Sequence, residues 1–408
     1  MPQPPLAGVR IIESSMLGPA AITTHLADLG AEVIKVESPQ GDYIRQMTWP
    51  IVEGVSLMHL HISRGKRSIV LDLRTDEGVA TYLDLVRGAD VVIEAMRPGG
   101  LERRGLGYDK LREVKANIVF CTISGYGMTG PYKDMPSHGV AYDVWAGLVK
   151  PEIDEDGFAC LPEHPSTGIH AGPLFGALGV LAAVIRARAT GEPTRLEIAQ
   201  SDAAAAMDWL RSETYKAYER PEDEVTGNAS DNYERRLPGT AGMRNGVRYQ
   251  FYETKDGYIL FQASEREFWE NFCRGIDRAD LFERFPGSQY ADHAVGNVEL
   301  RTTLRDIFRQ RTSTEWVELG ERVNTPIVNV NTPKTLADDP QFQDRMPWLP
   351  RSVLGNDQLP SPIKLVGEML PMPTKAPTPG QHTDEVLRDV LGYDDSRMAE
   401  LRAAGALG

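Results

Sequence analysis

The chain has 408 residues, 41% of them apolar and 25% charged, which suits a soluble globular protein of about two domains with a large core. Its formal charge of −14 argues against a nucleic-acid footprint. Any anionic ligand then has to be met by locally placed cations. Cys121, Cys160 and Cys273 are too few and too scattered for a disulfide framework or a zinc site. The opening MPQPPLAGVR has neither a basic n-region nor an apolar h-region, and the longest apolar run, Ala171–Ile185, is shorter than a membrane span. The expectation is a cytoplasmic protein with no membrane partner, no metal and no nucleic acid.

In chain order, Val9–Glu13 reads as a buried strand, and Pro19 suits the first turn of a helix that continues over Ala20–Leu29 and ends at Gly30. Strands are expected next at Glu32–Glu37, Ser68–Leu73, Asp90–Ala95 and Ile118–Ile123, with Thr75 placed to cap a helix over Asp76–Arg87. Strands separated by helices predict a parallel sheet with right-handed crossovers. The first strand–helix turn, SSMLGP, lacks Gly-x-Gly-x-x-Gly, which speaks against a dinucleotide.

His59 and His61 alternate as if on two sides of a strand. Pro173–Arg188, apolar all round, predicts a buried central helix. Glu197–Leu210 reads as strand then helix, with Asp202 near the helix start. Residues 218–245 are polar and rich in Gly and Pro, a linker or an ordered excursion. Fresh strand and helix signals in Val247–Asn324 mark a second, smaller domain, and the aromatics of EREFWENF recur at core spacing. From Pro340 to Gly380 prolines recur and an extended return path is expected, before a helical tail at Thr383–Ala404. The boundaries expected are 1–217 for the first part of the large domain, 218–245 for the linker, 246–333 for the small domain and 334–408 for the return and the rest of the large domain.

Four stretches carry a resemblance: HLADLGAEVIKVE at His25–Glu37, RGKRSIVLDLRTDEG at Arg64–Gly78, ISGYGMTGP at Ile123–Pro131 and GQHTDEVL at Gly380–Leu387. Their order and spacing resemble the class III CoA-transferases, the family of formyl-CoA transferase, carnitine CoA-transferases and α-methylacyl-CoA racemase. The resemblance implies an α/β fold with a Rossmann-like large domain on a parallel sheet, a smaller α+β domain and two chains interlocked as a homodimer. It implies an acyl-CoA and a carboxylic acid as partners, with coenzyme A thioester as substrate and no permanently bound cofactor. It also implies CoA contacts from segments matching Leu71–Arg74, Ala95–Arg97 and Arg103, hence Leu71, Arg74, Ala95, Met96, Arg97 and Arg103. Three of these are arginines near strand ends, where ligands of open α/β sheets gather and where a planar guanidinium suits phosphate. The plainer reading is that they are solvated surface arginines. The chain departs from the family at Ala95-Met96, where Asn-Phe is usual, and at Ser38, where an arginine often stands.

The family's transferases attack the thioester with an aspartate, whose anhydride and thioester both stay reactive. Counting back from LFGALGV puts Ile169 at that place, and His170 is the nearest reactive side chain. A helix mouth disfavours positive charge, so a neutral imidazole there suits a base or an acyl acceptor. The plainer reading is a helix cap. His138 falls seven residues after Pro131, as the racemase branch places its histidine, and is the second catalytic candidate, with Asp143 or Tyr142 as helpers. Otherwise it is a polar loop residue. Glu163 and His164 are weaker candidates. The loop Leu237–Gly246 matches a glycine-rich lid or a mere turn. Trp49, Met58 and Trp145 are candidates for an apolar acyl pocket. The leading function is CoA transfer between an acyl-CoA and a carboxylic acid. The alternatives are an acyl-CoA racemase or isomerase using a histidine pair, and an acyl-CoA-binding protein without catalysis.

Overall fold

A computed structural model describes residues 3–96, 99–227, 233–235, 243–289 and 291–407. The chain packs as two compact units, one of residues 1–208 with 344–408 and one of residues 209–343.

The first unit is built on six parallel strands: β1 (Arg10–Ser14), β2 (Glu32–Glu37), β3 (Lys66–Val70), β4 (Val91–Glu94), β5 (Val119–Ser124) and β6 (Thr194–Ala199). Their order across the sheet is β6-β5-β4-β1-β2-β3, the doubly wound order in which connections leave in opposite directions from β1 and β4. Alternate residues feed two cores, as the pleat requires. Ile12, Ile34, Ile69, Val92 and Phe120 point to one face, where Tyr82, Leu85, Val386 and Leu401 cover them. Ile11, Val33, Val91, Val119 and Cys121 point to the other, covered by Ile22, Leu26, Ala177, Val180 and Val184.

The helices arise from local sequence. α1 (Ala21–Asp28) is entered through a single 3₁₀ turn at Gly18–Ala20 with Pro19 in its first turn. α2 (Leu57–Ile62) is capped by Ser56, whose hydroxyl accepts the His59 N–H at 3.2 Å. It replaces the strand expected for His59 and His61. The cap, and not the two-residue alternation, decides the local structure. α3 (Asp76–Arg87) starts where Thr75 accepts the Gly78 N–H at 3.0 Å and buries Gly78, Thr81, Tyr82, Leu85 and Val86, one helical stripe. α4 (Gly139–Trp145) is short.

α5 (Thr167–Thr190) is longer than its apolar run. By length and composition alone its 24 residues would cross a membrane, but half of its apolar window is buried against the rest of the chain. Its inward face is small, with Ala171, Gly172, Gly176, Ala177, Ala183 and Ala187 buried, so it approaches closely. A Cβ on Gly176 would stand 2.6 Å from Ile22 Cδ1. The expectation of burial all round is corrected on the opposite face, where Leu174, Leu178 and Ile185 are 49%, 64% and 69% exposed. α6 (Gln200–Met207) continues directly from β6, with Asp202 in its first turn. The return segment carries two short helices, Pro340–Arg345 and Arg351–Leu354, that the proline pattern did not announce. The tail is two helices, Thr383–Asp389 and Asp395–Ala403.

In the second unit β7 (Tyr249–Glu253), β8 (Tyr258–Gln262) and β9 (Ile327–Asn329) form an antiparallel sheet. Trp269 and Phe272 are fully buried with Phe261, Phe308 and Trp316 in an aromatic core, as the spacing of EREFWENF predicts.

Under the end of β1 lies a group of buried charges. The Glu13 carboxylate meets Lys35 Nζ at 3.0 Å and Lys66 Nζ at 2.9 Å, and Lys35 also meets Asp42 at 3.1 Å. Burial alone would push the Glu13 carboxyl up, but the two ammonium groups and the Thr23 hydroxyl outweigh it and hold it down at about 2. Burial, with Lys35 nearby, brings Lys66 down to about 8 against the pull of Glu13. A carboxyl depressed from 4.5 to about 2 stabilises the fold above its unfolded value and loses that contribution as pH falls through its folded one. The native protein is therefore expected to lose on the order of 3 kcal/mol from this group between pH 5 and pH 2. Glu13→Gln should be destabilised at pH 7 and show a flatter acid limb in urea unfolding. Parallel acid limbs for the two proteins would contradict this.

Candidate active site

All six strands end at the same edge of the sheet, and the segments that leave their ends line one cleft of about 1260 Å³. Ser14–Gly18 come from the end of β1, Val36–Ser38 and Gln40–Asp42 from β2, Leu71–Arg74 from β3, Ala95 and Met96 from β4, Ser124–Tyr126 from β5 and Gln200 from β6. The β1/β4 switch point, where open α/β sheets bind ligands, lies within it.

The β1 turn is fixed from below. Lys35 Nζ donates to the Ser15 carbonyl at 2.6 Å and Lys66 Nζ to the Ala20 carbonyl at 2.7 Å, while the Ser15 hydroxyl donates to Glu13 at 2.8 Å. Between those two carbonyls Leu17 is held at φ 57°, ψ −149°, a conformation that a branched side chain adopts only when its surroundings impose it.

Cations collect along the wall made by the ends of β3 and β4. Arg74 lines the cleft, largely exposed, and pairs with Asp72 at 2.6 Å. Arg103 lines it from a 3₁₀ turn at Glu102–Arg104, with one guanidinium nitrogen 3.1 Å from where a Cβ on Gly99 would stand. Leu71, Ala95 and Met96 line it too. Arg97 lies outside the described residues, as does most of the loop Leu237–Gly246. Arg104 and Lys133 also line the cleft and were not singled out in the sequence. Arg104 is recognisable only as the second arginine of LERRG, and nothing local marks Lys133.

Ile169 enters the cleft from the first turn of α5. Its Cγ2 is 3.0 Å from where a Cβ on Gly18 would stand and its Cδ1 2.0 Å from that of Gly139. The branched side chain thus occupies room left by two bare backbones. His138, the N-cap residue of α4, is exposed and lines the cleft beside Ser137 and Tyr142, whose hydroxyls are 3.1 Å apart. His170 is exposed and is not among the lining residues. Successive helical residues point about 100° apart, so with Ile169 inward His170 turns to the side. There it lies on the side of His25 of α1 and His61 of α2. Burial, then Arg64, push the His61 imidazole down to about 4. His59 is buried off the cleft, 3.3 Å from the Pro377 carbonyl.

Asp143 is buried behind the cleft wall, where Oδ1 accepts the Gly168 N–H at 2.7 Å and Oδ2 stands 3.6 Å from His164 Nε2. It holds the start of α5 and is not a lining residue. Of the three candidates for an apolar pocket, Met58 lines the cleft, whereas Trp49 is 88% exposed and Trp145 is outside the lining. Among the described residues no group of three His, Cys, Asp or Glu is arranged to hold a metal ion.

The family model that the sequence matches, CoA-transferase family III over residues 6–383, agrees with a cleft that carries cations on one wall. The chain belongs to CoA-transferase family III. Within that family it is 28% identical to succinyl-CoA:glutarate CoA-transferase of Homo sapiens, over 99% of this chain and 90% of the relative. It is 30% identical to a probable fatty acyl-CoA transferase of Mycobacterium tuberculosis, over 84% of this chain and 86% of the relative. A crystal structure of Rv3272 from M. tuberculosis superposes with a TM-score of 0.77 at 26% identity, covering 94% of this chain and 99% of that one.

The Asp143 contact gives a direct check. Asp143→Ala removes the acceptor of a buried N–H and is expected to cost roughly 2 kcal/mol in chemical denaturation. Asp143→Asn keeps an acceptor and should cost less. Equal stability of all three proteins would show that Asp143 does not hold the α5 terminus.

Proposed function

We propose that this family III chain is an enzyme that moves CoA between an acyl-CoA and a carboxylic acid. The observation that carries the reading is the cleft at the β1/β4 switch point, with Arg74 and Arg103 along one wall. Arginine forks suit the phosphates of CoA, and an apolar residue at the mouth of α5 suits the acyl end. Names of relatives across the family, from succinyl-CoA:glutarate to succinyl-CoA–L-malate CoA-transferase, support the reaction type. The chain uses Ile169 where the family's transferases use an aspartate, so the reacting group comes from elsewhere. His138 and His170 are the proposed reactive side chains, His138 within the cleft lining and His170 next to Ile169 at the helix mouth.

One observation favours a second reading, acyl-CoA racemisation. An imidazole that lines the same cleft as Tyr142 can exchange a proton at the α-carbon of a thioester, and Ile169 cannot form an anhydride.

A homodimer is the proposed assembly. Leu174, Leu178 and Ile185 form an exposed stripe on α5, and Ile363, Val366, Met369 and Met372 are exposed along the return segment. So many aliphatic side chains left open in one chain suit burial against a second copy.

The deciding assay incubates the protein with succinyl-CoA and a panel of carboxylic acids and tracks new CoA esters by mass spectrometry. Deuterated water is added to report α-proton exchange. New esters support transfer, exchange without them supports racemisation, and neither outcome refutes both. Arg103→Ala is expected to weaken CoA about tenfold by calorimetry. Unchanged affinity removes Arg103 from the site. Ile169→Asp should raise transfer if the cleft is otherwise competent, and full activity in His170→Ala would make that histidine structural.

A further inference from the structure

Gln200 is the first residue of α6, immediately after β6, and its side chain lines the cleft. The residue is 2% exposed, yet its Oε1 has no hydrogen-bond partner among the described residues. Buried side-chain oxygens are nearly always paired, because an unpaired one has given up water for nothing. The carboxamide is also well placed. Its Cγ crosses the bare backbone of Gly172, 2.8 Å from where a Cβ there would stand, and Oε1 reaches to 3.9 Å from the corresponding point on Gly18. Ile169 Cγ2 stands 3.0 Å from that same point. A helix residue, a glycine that makes room and an aliphatic neighbour thus hold one uncommitted polar group at the α5 end of the cleft.

The neighbours restrict what it can bind. Gly18, Ile169 and Gly172 lie on the side toward which it reaches, and none is charged. An ionised carboxylate set there would be buried without a cation and is disfavoured. A plain methylene leaves Oε1 unpaired. A hydroxyl fits, since it donates to the amide oxygen or accepts from the amide nitrogen, whichever way the carboxamide is turned.

We propose that Gln200 is a specificity-determining residue that binds a hydroxyl on the acyl chain of the substrate, so that the cleft selects hydroxyacyl thioesters over plain acyl thioesters of the same length. This rests on the reading of the cleft as an acyl-CoA site, with the acyl group at the Ile169 end.

The test measures affinity for 3-hydroxybutyryl-CoA and butyryl-CoA by calorimetry in the wild type, Gln200→Leu and Gln200→Met, with thermal melting of each. The wild type should prefer the hydroxylated ester about tenfold, the worth of one good hydrogen bond. Both variants should bring the ratio near one while binding butyryl-CoA at least as well and melting no lower, because they remove a polar atom with no internal partner. A wild-type ratio near one, or the same preference in the variants, overturns the proposal. So does a large drop in melting temperature in both variants, which would mean that Gln200 is structural. The preference read by binding is independent of turnover. Binding with the expected ratio but without CoA transfer would refute the proposed reaction and leave Gln200 as the selector, whereas failure of both esters to bind overturns both.

Discussion

The Glu13–Lys35–Lys66 cluster is the constraint on which the cleft depends. Two ammonium groups and a carboxylate with no solvent exposure are costly to bury unless each is paired and hydrogen-bonded. Here the spare donors of both lysines go to the Ser15 and Ala20 carbonyls, which bracket the turn carrying Met16, Leu17 and Gly18 into the cleft. The charges come from β1, β2 and β3, so the same contacts that align the strands also set the turn. Apolar side chains of similar size would satisfy the core but take the Lys35 donor from the Ser15 carbonyl and leave the Ala20 carbonyl to the Thr23 and Thr24 hydroxyls alone. The cluster's worth therefore lies in specifying one backbone path at the cleft, and less in net stability.

The return segment reaches the same region through polar contacts. The Arg64 guanidinium is buried, pairs with Asp28 at 2.7 Å and donates to the Gln358 side chain and the Leu359 carbonyl. The Ser68 hydroxyl donates to Glu37 and accepts the Gly380 N–H at 2.9 Å. Glu37, itself a lining residue, is gripped by Arg45 at 2.6 Å. An extended chain without helix or strand partners has to satisfy its backbone somewhere, and it does so on arginine and serine side chains of the first three strands and their connections. Residues far apart in sequence therefore brace the β2–β3 side of the sheet together.

Much of the first unit was legible from local signals. The strand Glu32–Glu37 and the capped helix Asp76–Arg87 fall where β-branched runs and the Thr75 cap place them. The helical tail expected at Thr383–Ala404 is present too, though it breaks into two helices after Asp389. What local signals missed has a common cause. His59 and His61 looked like strand because alternation over a few residues cannot outvote a cap. The open face of α5 was hidden because a helix of uniform apolarity has no moment to say which side is covered. Gln200 and Lys133 carry no pattern at all. They belong to the cleft only because six strand ends meet at one edge, and that is a property of topology and not of any window of sequence. Ile169 was visible by resemblance, but its fit between Gly18 and Gly139 was not.

That fit bears on the chemistry. A branched side chain wedged against two backbones without Cβ atoms is packed for its shape, and an aspartate of smaller volume would leave part of that room empty. Under the proposed reaction, the candidates besides His170 are the other lining acids and imidazoles. Glu37 is committed to Arg45, Asp42 to Lys35 and Asp72 to Arg74. The arginines beside Glu37 and Asp72 lower the basicity of those two carboxylates. Asp134 and His138 are what remain of the lining set, both exposed, four positions apart in the segment that enters α4. With the strand-end carboxylates paired to cations, the unpaired acid and imidazole among the lining residues come from that one segment. Residues 133–138 thus bring Lys133, Asp134 and His138 into the cleft from one segment, which makes His138 the proposed reactive side chain that lies within the lining.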